Sequence, residues 1–456
     1  MLSVKLTMRN SIFLIIASLG FVSLKAQENS PFSRYGIGDL YPQQTVASRA
    51  MGGVSAAYAN PQAINTINPA SYGYIPIVTF DVGVSIDQRS LKSVNPLSAY
   101  NSANFLPSYV LIAVPLNAAK GWGAAFGIKP ISRINYNIEE ISYPHGDTLQ
   151  KLHLGTGGLT QAFLGIGKRW GAITKTNISL GFNAGFEFGR RQTNNIVNYI
   201  DSTPFVKSNF ESTTSYNGLF FNPGIMINIK VGEKTDKITK IKQTYMLRLG
   251  GSATLKHQLT ANMDSIVETF NYDANGAIVP IDTIHLQNSI SGKIQMPVTY
   301  TAGFSFSNVI NIANNFALNK WTIAADYSAG KWSDYRFYGQ TDKVIDNWMI
   351  HAGAEFIPDP FALSLFSRST YHVGFYTGKD YINADGNSYE EKAVTFGLGF
   401  SLRKYRGQYD NQQTLINTSF EIGKRGTSVN NVTEGFFKFS VGLSLSDIWF
   451  IKRKYD

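Results

Sequence analysis

The chain contains no cysteine among its 456 residues. This excludes a disulfide framework, a thiolate metal centre and a lipid anchor on an N-terminal cysteine. Histidine is scarce, and the six present (His145, His153, His257, His285, His351 and His372) are scattered with no two at ligand spacing, so no metal site is expected. No nucleophile elbow, glycine-rich phosphate loop or paired-acid motif occurs, which argues against catalysis and leaves no cofactor to expect. Beyond the first two dozen residues there is no long apolar run, so the mature chain should have no transmembrane helix. Charged residues make up 16% and carry a net +10, yet Lys and Arg are dispersed. The nearest approaches to a basic block, at 234–242 and 452–454, read as solvated turns and headgroup contacts, with no nucleic-acid partner implied.

What the sequence does contain, from residue 76 onward, is one pattern repeated about fourteen times: a run of roughly 9 to 15 residues alternating apolar and polar, then a turn. Ile178, Leu180, Phe182, Ala184, Phe186 and Phe188 stand on one face of such a run, opposed by Ser179, Gly181, Asn183, Gly185, Glu187 and Gly189 on the other. Val394, Phe396, Leu398, Phe400 and Leu402 repeat the pattern, as do Phe437, Phe439, Val441, Leu443 and Leu445. The apolar face is rich in aromatics and the polar face is small. A tilted strand of about 9 to 11 residues crosses the hydrocarbon layer, and a closed sheet leaves no unpaired edge in lipid. The expected fold is therefore all-β, a closed antiparallel transmembrane barrel of about 14 strands, with lipid outside and a polar lumen inside. The mean hydropathy is close to zero because each strand is only half apolar.

Lys5 and Arg9, an apolar stretch over 11–24 and the Leu24-Lys25-Ala26 tripeptide have the form of a signal peptide covering 1–26. Export to the outer membrane of a Gram-negative bacterium is expected. Polar stretches at 87–104, 137–158, 192–215, 263–291, 333–346, 379–391 and 425–434 are candidate outer loops, with shorter links at 116–121, 170–176 and 404–413 between them. Links at 231–243, 308–320 and 358–369 are longer, with room for a helical turn. Trp332, Tyr335, Tyr338 and Trp348 flank one outer loop, and Trp449 and Phe450 end the last strand, positions that suit an aromatic girdle. The strand at 109–115 is apolar on both faces.

Residues 27–75 do not alternate. They are rich in Gly, Ala, Asn, Ser and Pro, with short helices expected around 45–51 and 63–67. Few charges and several large groups (Phe32, Tyr35, Tyr41, Met51, Tyr58) argue against disorder, so a plug or hatch inside a barrel spanning 76–456 is the economical arrangement. Within it, the run Arg49-Ala50-Met51-Gly52-Gly53-Val54-Ser55-Ala56-Ala57-Tyr58, followed by Asn68-Pro69-Ala70, resembles the hatch of the FadL-type long-chain fatty acid transporters. The resemblance implies a fourteen-stranded barrel plugged by that hatch, an apolar ligand taken from outside, and sideways release into the membrane through a gap at a kinked third strand. A related PorV-like branch serves secretion as accessory barrels, so the resemblance implies two different roles. The hatch-motif residues carried over are Gly52, Gly53, Asn68, Pro69 and Ala70. Pro69 fixes a bend, Asn68 suits a turn and Ala70 permits close packing.

The third strand alternates from Trp122 to Lys129 and is then interrupted by Pro130, which cannot donate to a ladder. Lys129 and Pro130 mark either a wall opening or a bulge near the rim. The segment 30–39 does not align with the fatty acid transporters. Its Arg34 and Asp39 either pair within the lumen or sit in water at the periplasmic mouth. Further candidate lumen charges are Glu187, Arg191, Arg248, Asp326, Glu355, Arg403 and Glu421. They suit a network holding the hatch, and the basic members also suit an anionic headgroup. Two functions remain open: passive uptake of a hydrophobic small-molecule ligand delivered to outer-membrane lipid, and a structural or secretion-accessory barrel that docks a partner protein.

Overall fold

The computed structural model describes residues 29–95, 97–144, 147–200, 206–235, 242–273, 278–313, 316–384, 386–402 and 413–447. The expected signal peptide, Arg403, His145, Trp449, Phe450 and the basic run 452–454 lie outside the described residues.

Fourteen wall strands follow one another around a closed antiparallel barrel: β1 (Val78–Ser93), β2 (Ser98–Asn117), β3 (Trp122–Ser142), β4 (Leu149–Trp170), β5 (Asn177–Tyr199), β6 (Lys207–Thr235), β7 (Lys242–Thr254 and His257–Tyr272), β8 (Ile278–Met296 and Thr299–Ala313), β9 (Phe316–Gly330), β10 (Asn347–Phe356), β11 (Thr370–Lys379), β12 (Glu390–Ser401), β13 (Gln413–Arg425) and β14 (Val432–Asp447). β7 and β8 are each interrupted once, at facing positions. Both parts of β7 pair with β6, and each part of β8 pairs with its counterpart in β7. The ring closes where β14 pairs with β1, from Val432↔Ser93 to Asp447↔Val78.

The alternation settles which face is which. On β5, Ile178, Leu180, Phe182, Phe186 and Phe188 are exposed outward, whereas Ser179, Asn183 and Glu187 are buried inward. This outward apolar band, 178–188, has the length a tilted strand needs to cross the hydrocarbon. Strand lengths differ from expectation. β6 runs for 29 residues and β5 for 23, while β10 and β11 have 10 each. The polar stretches at 87–104, 137–158, 192–215 and 263–291 are therefore mostly ladder rather than loop. Above the hydrocarbon both faces of a strand meet water, so apolar contrast disappears although backbone pairing continues. The stretches 333–346, 379–391 and 425–434 are genuine connections, and 358–369 contains the short helix Leu365–Arg368.

The N-terminal segment, 29–77, runs through the inside of this cylinder. Its helix α1 is Val46–Ala50, shorter than the 45–51 expected, and every residue of it is buried. The second helix lies later than expected, a 3₁₀ turn at Pro69–Tyr74 rather than 63–67. The small residues of the lumen face have their reason here. Inward glycines on β5, β6, β7, β10 and β11 (Gly181, Gly224, Gly250, Gly353, Gly374) each stand directly against Pro69, Asn68, Ala56 or Met51, where a Cβ would collide. β2 is apolar on both faces because inward Tyr109, Leu111 and Ala113 pack against Val46, Ile64 and Tyr72 instead of water.

Candidate functional site

Asn68, Pro69 and Ala70 fasten the segment to the wall. Asn68 is fully buried. Its Oδ1 accepts from the Ala70 amide at 3.1 Å, capping the 3₁₀ turn that Pro69 begins. Its Nδ2 donates to Ala56 O at 2.6 Å and to Ile225 O of β6 at 3.0 Å, joining the two halves of the segment to the barrel. Ala70 packs on Tyr74, Ala59 and Met226. Gly52 and Gly53 have φ of +72° and +85°, and a Cβ on Gly52 would stand 2.6 Å from the carbonyls of Ala352 and Phe375. Only glycine combines that backbone with that proximity. Gly52 N donates to Thr395 Oγ1 at 2.8 Å, and Gly52 O meets His351 Nδ1 at 2.7 Å.

The inward charges hold the same segment. Arg49 of α1 forms a pair of 2.7 Å with Glu421 on β13, both side chains 3% exposed, and donates to Ser85 Oγ at 2.9 Å. The Asp326 carboxylate accepts from the amides of Ser55 and Ala56. Glu355 accepts from Tyr58 Oη at 2.8 Å, Thr322 Oγ1 at 2.8 Å and Asn319 Nδ2 at 3.1 Å. Arg248 donates to Ala59 O at 3.2 Å. Glu187 meets His257 Nε2 at 2.9 Å and Gln161 Nε2 at 3.1 Å. Asp326, Glu355 and Arg248 thus spend their charge on backbone and hydroxyl groups of the segment, which offsets part of their desolvation.

Arg34 and Asp39 do not pair with one another, and neither lies at the periplasmic mouth. Residues 29–41 form a strap across the end of the lumen that carries the long connections. Asp39 is clamped there by Arg425 of β13 at 2.9 Å and Arg89 of β1 at 3.1 Å. Arg89 also meets Asp87 at 2.8 Å and Glu434 at 3.3 Å, and Arg425 meets Asp380. A carboxylate drawn inside the barrel takes the strongest cations available rather than a neighbour five positions away. The Arg34 carbonyl accepts from Arg191 Nη2 at 3.2 Å, and Arg191 stacks on Phe337 at 5.3 Å. Trp332 and Tyr335 are no girdle residues. They are 4% and 1% exposed and pack with Phe32, Tyr381, Ile382 and Tyr389 beneath the connections. Trp332 lies 4.4 Å from Tyr381, and Tyr381 Oη donates to the carbonyls of Gly38 and Tyr35.

At Lys129 and Pro130 the wall is discontinuous. The β2–β3 ladder ends at Val110↔Ile128. Beyond it β2 pairs only with β1, and the lips of the seam carry Pro107 and Pro130, neither able to donate across it. Both neighbouring ladders slip at this level, β1–β2 after Gly83 and β3–β4 between Pro130 and Ser132, so a bulge accompanies the end of the β2–β3 ladder. Gly157 and Gly158 on β4, with φ of +137° and +146°, continue it. A crevice of about 710 Å³ lies here, lined by Leu106, Pro107, Pro130, Phe186, Phe188 and Tyr216 among others. Inside, a cavity of about 380 Å³ occupies the lumen between segment and strap, lined by Lys129, Gln161, Glu187, His257, His351 and Glu421 among others. Lys129 is 7% exposed, and its Nζ donates to Thr66 Oγ1 at 3.0 Å. Tyr41 borders both spaces. Sequence reasoning missed Asn65, whose side chain donates to Ser55 O and Tyr58 O and accepts from the Ile67 and Asn68 amides. It also missed Arg89 and Arg425, whose only sequence signal is an arginine near a strand end.

The family model for BamG matches residues 8–456. No curated protein matches the chain by sequence. Among solved structures, a Pseudomonas aeruginosa FadL homologue is similar with a TM-score of 0.53 at 10% identity, covering 90% of this chain and 99% of its own. The Ralstonia pickettii toluene transporter TbuX is similar with a TM-score of 0.51 at 13% identity, covering 88% and 98%. At these identities the likeness speaks for the fold alone, a closed β-barrel like those of these two proteins.

Proposed function

The chain belongs to the BamG family, and from the geometry of its lumen and wall we propose an outer-membrane channel for passive uptake of hydrophobic small molecules, of fatty acid or hydrocarbon class. The ligand enters at the end carrying the long connections, passes the N-terminal hatch and leaves sideways into the lipid. The seam between β2 and β3 carries this reading: an apolar crevice at hydrocarbon depth adjoins an internal cavity, with Tyr41 between them. Each CH₂ moved from water into such surroundings gains about 0.8 kcal/mol, so transfer needs no other energy source. Basic groups such as Lys129 suit a polar end on an otherwise apolar ligand. The toluene transporter with this barrel agrees with the reading.

Deleting residues 27–70 should raise single-channel conductance sharply, and mass spectrometry of the detergent-extracted barrel should find a bound apolar compound. Unchanged conductance would mean that the segment is no hatch, and a barrel free of ligand would remove the transport reading.

One observation favours an accessory role that docks a partner protein. Above the hydrocarbon the first part of β8 pairs with β7 on one side; its other side is held from Ile290 to Gln295 by Tyr338, Phe337 and Arg336, and among the described residues no strand pairs there with 279–289. Along it Val279, Ile281, Ile284 and Leu286 are 47–62% exposed. Such an edge is a template for association. A stoichiometric partner in a pull-down, lost on Ile284→Asp, would support this role over uptake.

A further inference from the structure

The strap 29–41 closes two openings with the same few residues. Toward the mouth, Phe32 lies edge-on to Tyr389 at 5.0 Å and beneath the Arg425 guanidinium at 4.2 Å. Gly36 N donates to Asp342 Oδ2 at 2.8 Å, and Tyr381 holds the Gly38 and Tyr35 carbonyls. Toward the wall, the strap takes the place β2 has left. Asp39 and Leu40 pair with Arg133 and Ser132 of β3, Tyr41 N donates to Ile131 O at 2.9 Å, and Ser30 N donates to Asn135 O at 2.9 Å. Asn29 and Asn137 exchange hydrogen bonds of 2.8 and 2.9 Å. From 131 to 137 the free edge of β3 is thus dressed by the strap. Tyr41 Oη reaches the opposite lip at Ser108, 2.9 Å away, and Gln43 Nε2 satisfies the Pro130 carbonyl at 2.9 Å.

We propose that the strap is a surrogate wall strand that opens the mouth and the β2–β3 seam in one movement, with Asp39 as the pin. The physical reason is that the two sets of contacts meet on adjacent residues: Tyr381 holds the Gly38 carbonyl from the mouth side, and the next residue, Asp39, pairs with Arg133 of the wall. Asp39 sits in the middle, its carboxylate on Arg89 and Arg425 and its backbone on Arg133. Contacts that release it from the arginines release the ladder too. A ligand or partner acting on the connection 330–347 or 379–390 therefore acts on the wall. The inference rests on the reading of the seam as an exit.

Because the chain has no cysteine, single reporters are unambiguous. Ser328→Cys lines the cavity and reads the mouth through a water-soluble maleimide. Ser108→Cys, 3% exposed beneath Tyr41, reads the seam through a lipid-partitioning one. Tyr381→Phe loosens the strap from the mouth side only, and Asp39→Asn withdraws the pin. Both should speed labelling at both reporters by the same factor, roughly tenfold for the loss of a charge-assisted bond at Asp39. A disulfide between Leu40→Cys and Ser132→Cys, which touches only the wall side, should slow labelling of Ser328→Cys as well. Faster labelling of Ser328→Cys alone in Tyr381→Phe, or a disulfide that slows only Ser108→Cys, overturns the coupling. If deletion of 29–41 exposes Ser328→Cys but leaves Ser108→Cys closed to the lipid probe, the seam is no exit and the uptake reading falls with the proposal.

Discussion

Replacing Arg49 by Met removes one partner of a pair whose other member, Glu421, is 3% exposed. The carboxylate stays buried without its partner, so the expected loss is that of an uncompensated buried charge, about 3–5 kcal/mol. With a tenfold change for each 1.4 kcal/mol, the segment should leave its docked position roughly 10² to several times 10³ more often. The double variant Arg49→Met with Glu421→Leu removes both charges and should recover most of the loss, since well-packed apolar pairs replace buried ion pairs at little net cost. Lys331→Met serves as the reference. Its pair with Asp346 has side chains 56% and 42% exposed, and such a contact contributes about 0–1 kcal/mol. The assay is limited proteolysis of the hatch in detergent-solubilised barrel, with thermal unfolding followed in parallel. A single variant no more susceptible than Lys331→Met, or a double variant worse than the single, would refute the claim that the pair is buried and holds the segment.

Gly52→Ala should undock α1 from β10 and β11 by about 1–3 kcal/mol, the strain of a non-glycine residue at φ +72°, with further loss from contact at the Ala352 and Phe375 carbonyls; heteronuclear NMR or proteolysis of the hatch reads it. Asn68→Ala removes the side-chain donor shared by the Ala56 and Ile225 carbonyls and the cap of the 3₁₀ turn, and should cost about 1–3 kcal/mol by thermal unfolding, whereas Pro69→Ala should cost less. Burial alone would push the Asp39 carboxyl up, but Arg425 and Arg89, with the Ser30 hydroxyl, hold it below the usual carboxylate range. The stabilisation it gives the strap is therefore complete above the unfolded value of about 3.9 and lost as pH falls through the lower folded one. Strap protection should persist at pH 5 and weaken progressively as pH falls below about 4, and Asp39→Asn should flatten that dependence; an unchanged pH profile in the variant contradicts the clamp.

The fold was legible because lipid and lumen impose opposite chemistries on alternate residues. Ile178 to Gly189 states this plainly, and the count of fourteen followed from the number of such runs. Where the strands rise beyond the hydrocarbon, as in His257–Tyr272, that contrast is gone and a ladder reads as a loop. Asn68, Pro69 and Ala70 stood out through the resemblance, and the turn chemistry of Asn68 and the bend at Pro69 are local, as the capped 3₁₀ turn there shows. Partners were not. Asp39 finds Arg425 across 386 positions, and only the barrel's closure brings β1 and β13 to the same strap. Trp332 and Tyr335 looked like interface aromatics because sequence proximity to a strand end does not say whether a ring turns toward lipid or folds over the mouth.

The central claim is that residues 44–75 are an immobile filling of the barrel. Hydrogen–deuterium exchange of the full chain in lipid tests it directly. Amides such as Met51, Gly52, Ala56 and Ala70, all buried and bonded to the wall or to one another, should exchange as slowly as those of β5 and β13. Exchange of this segment within seconds, with the strands protected, would contradict it.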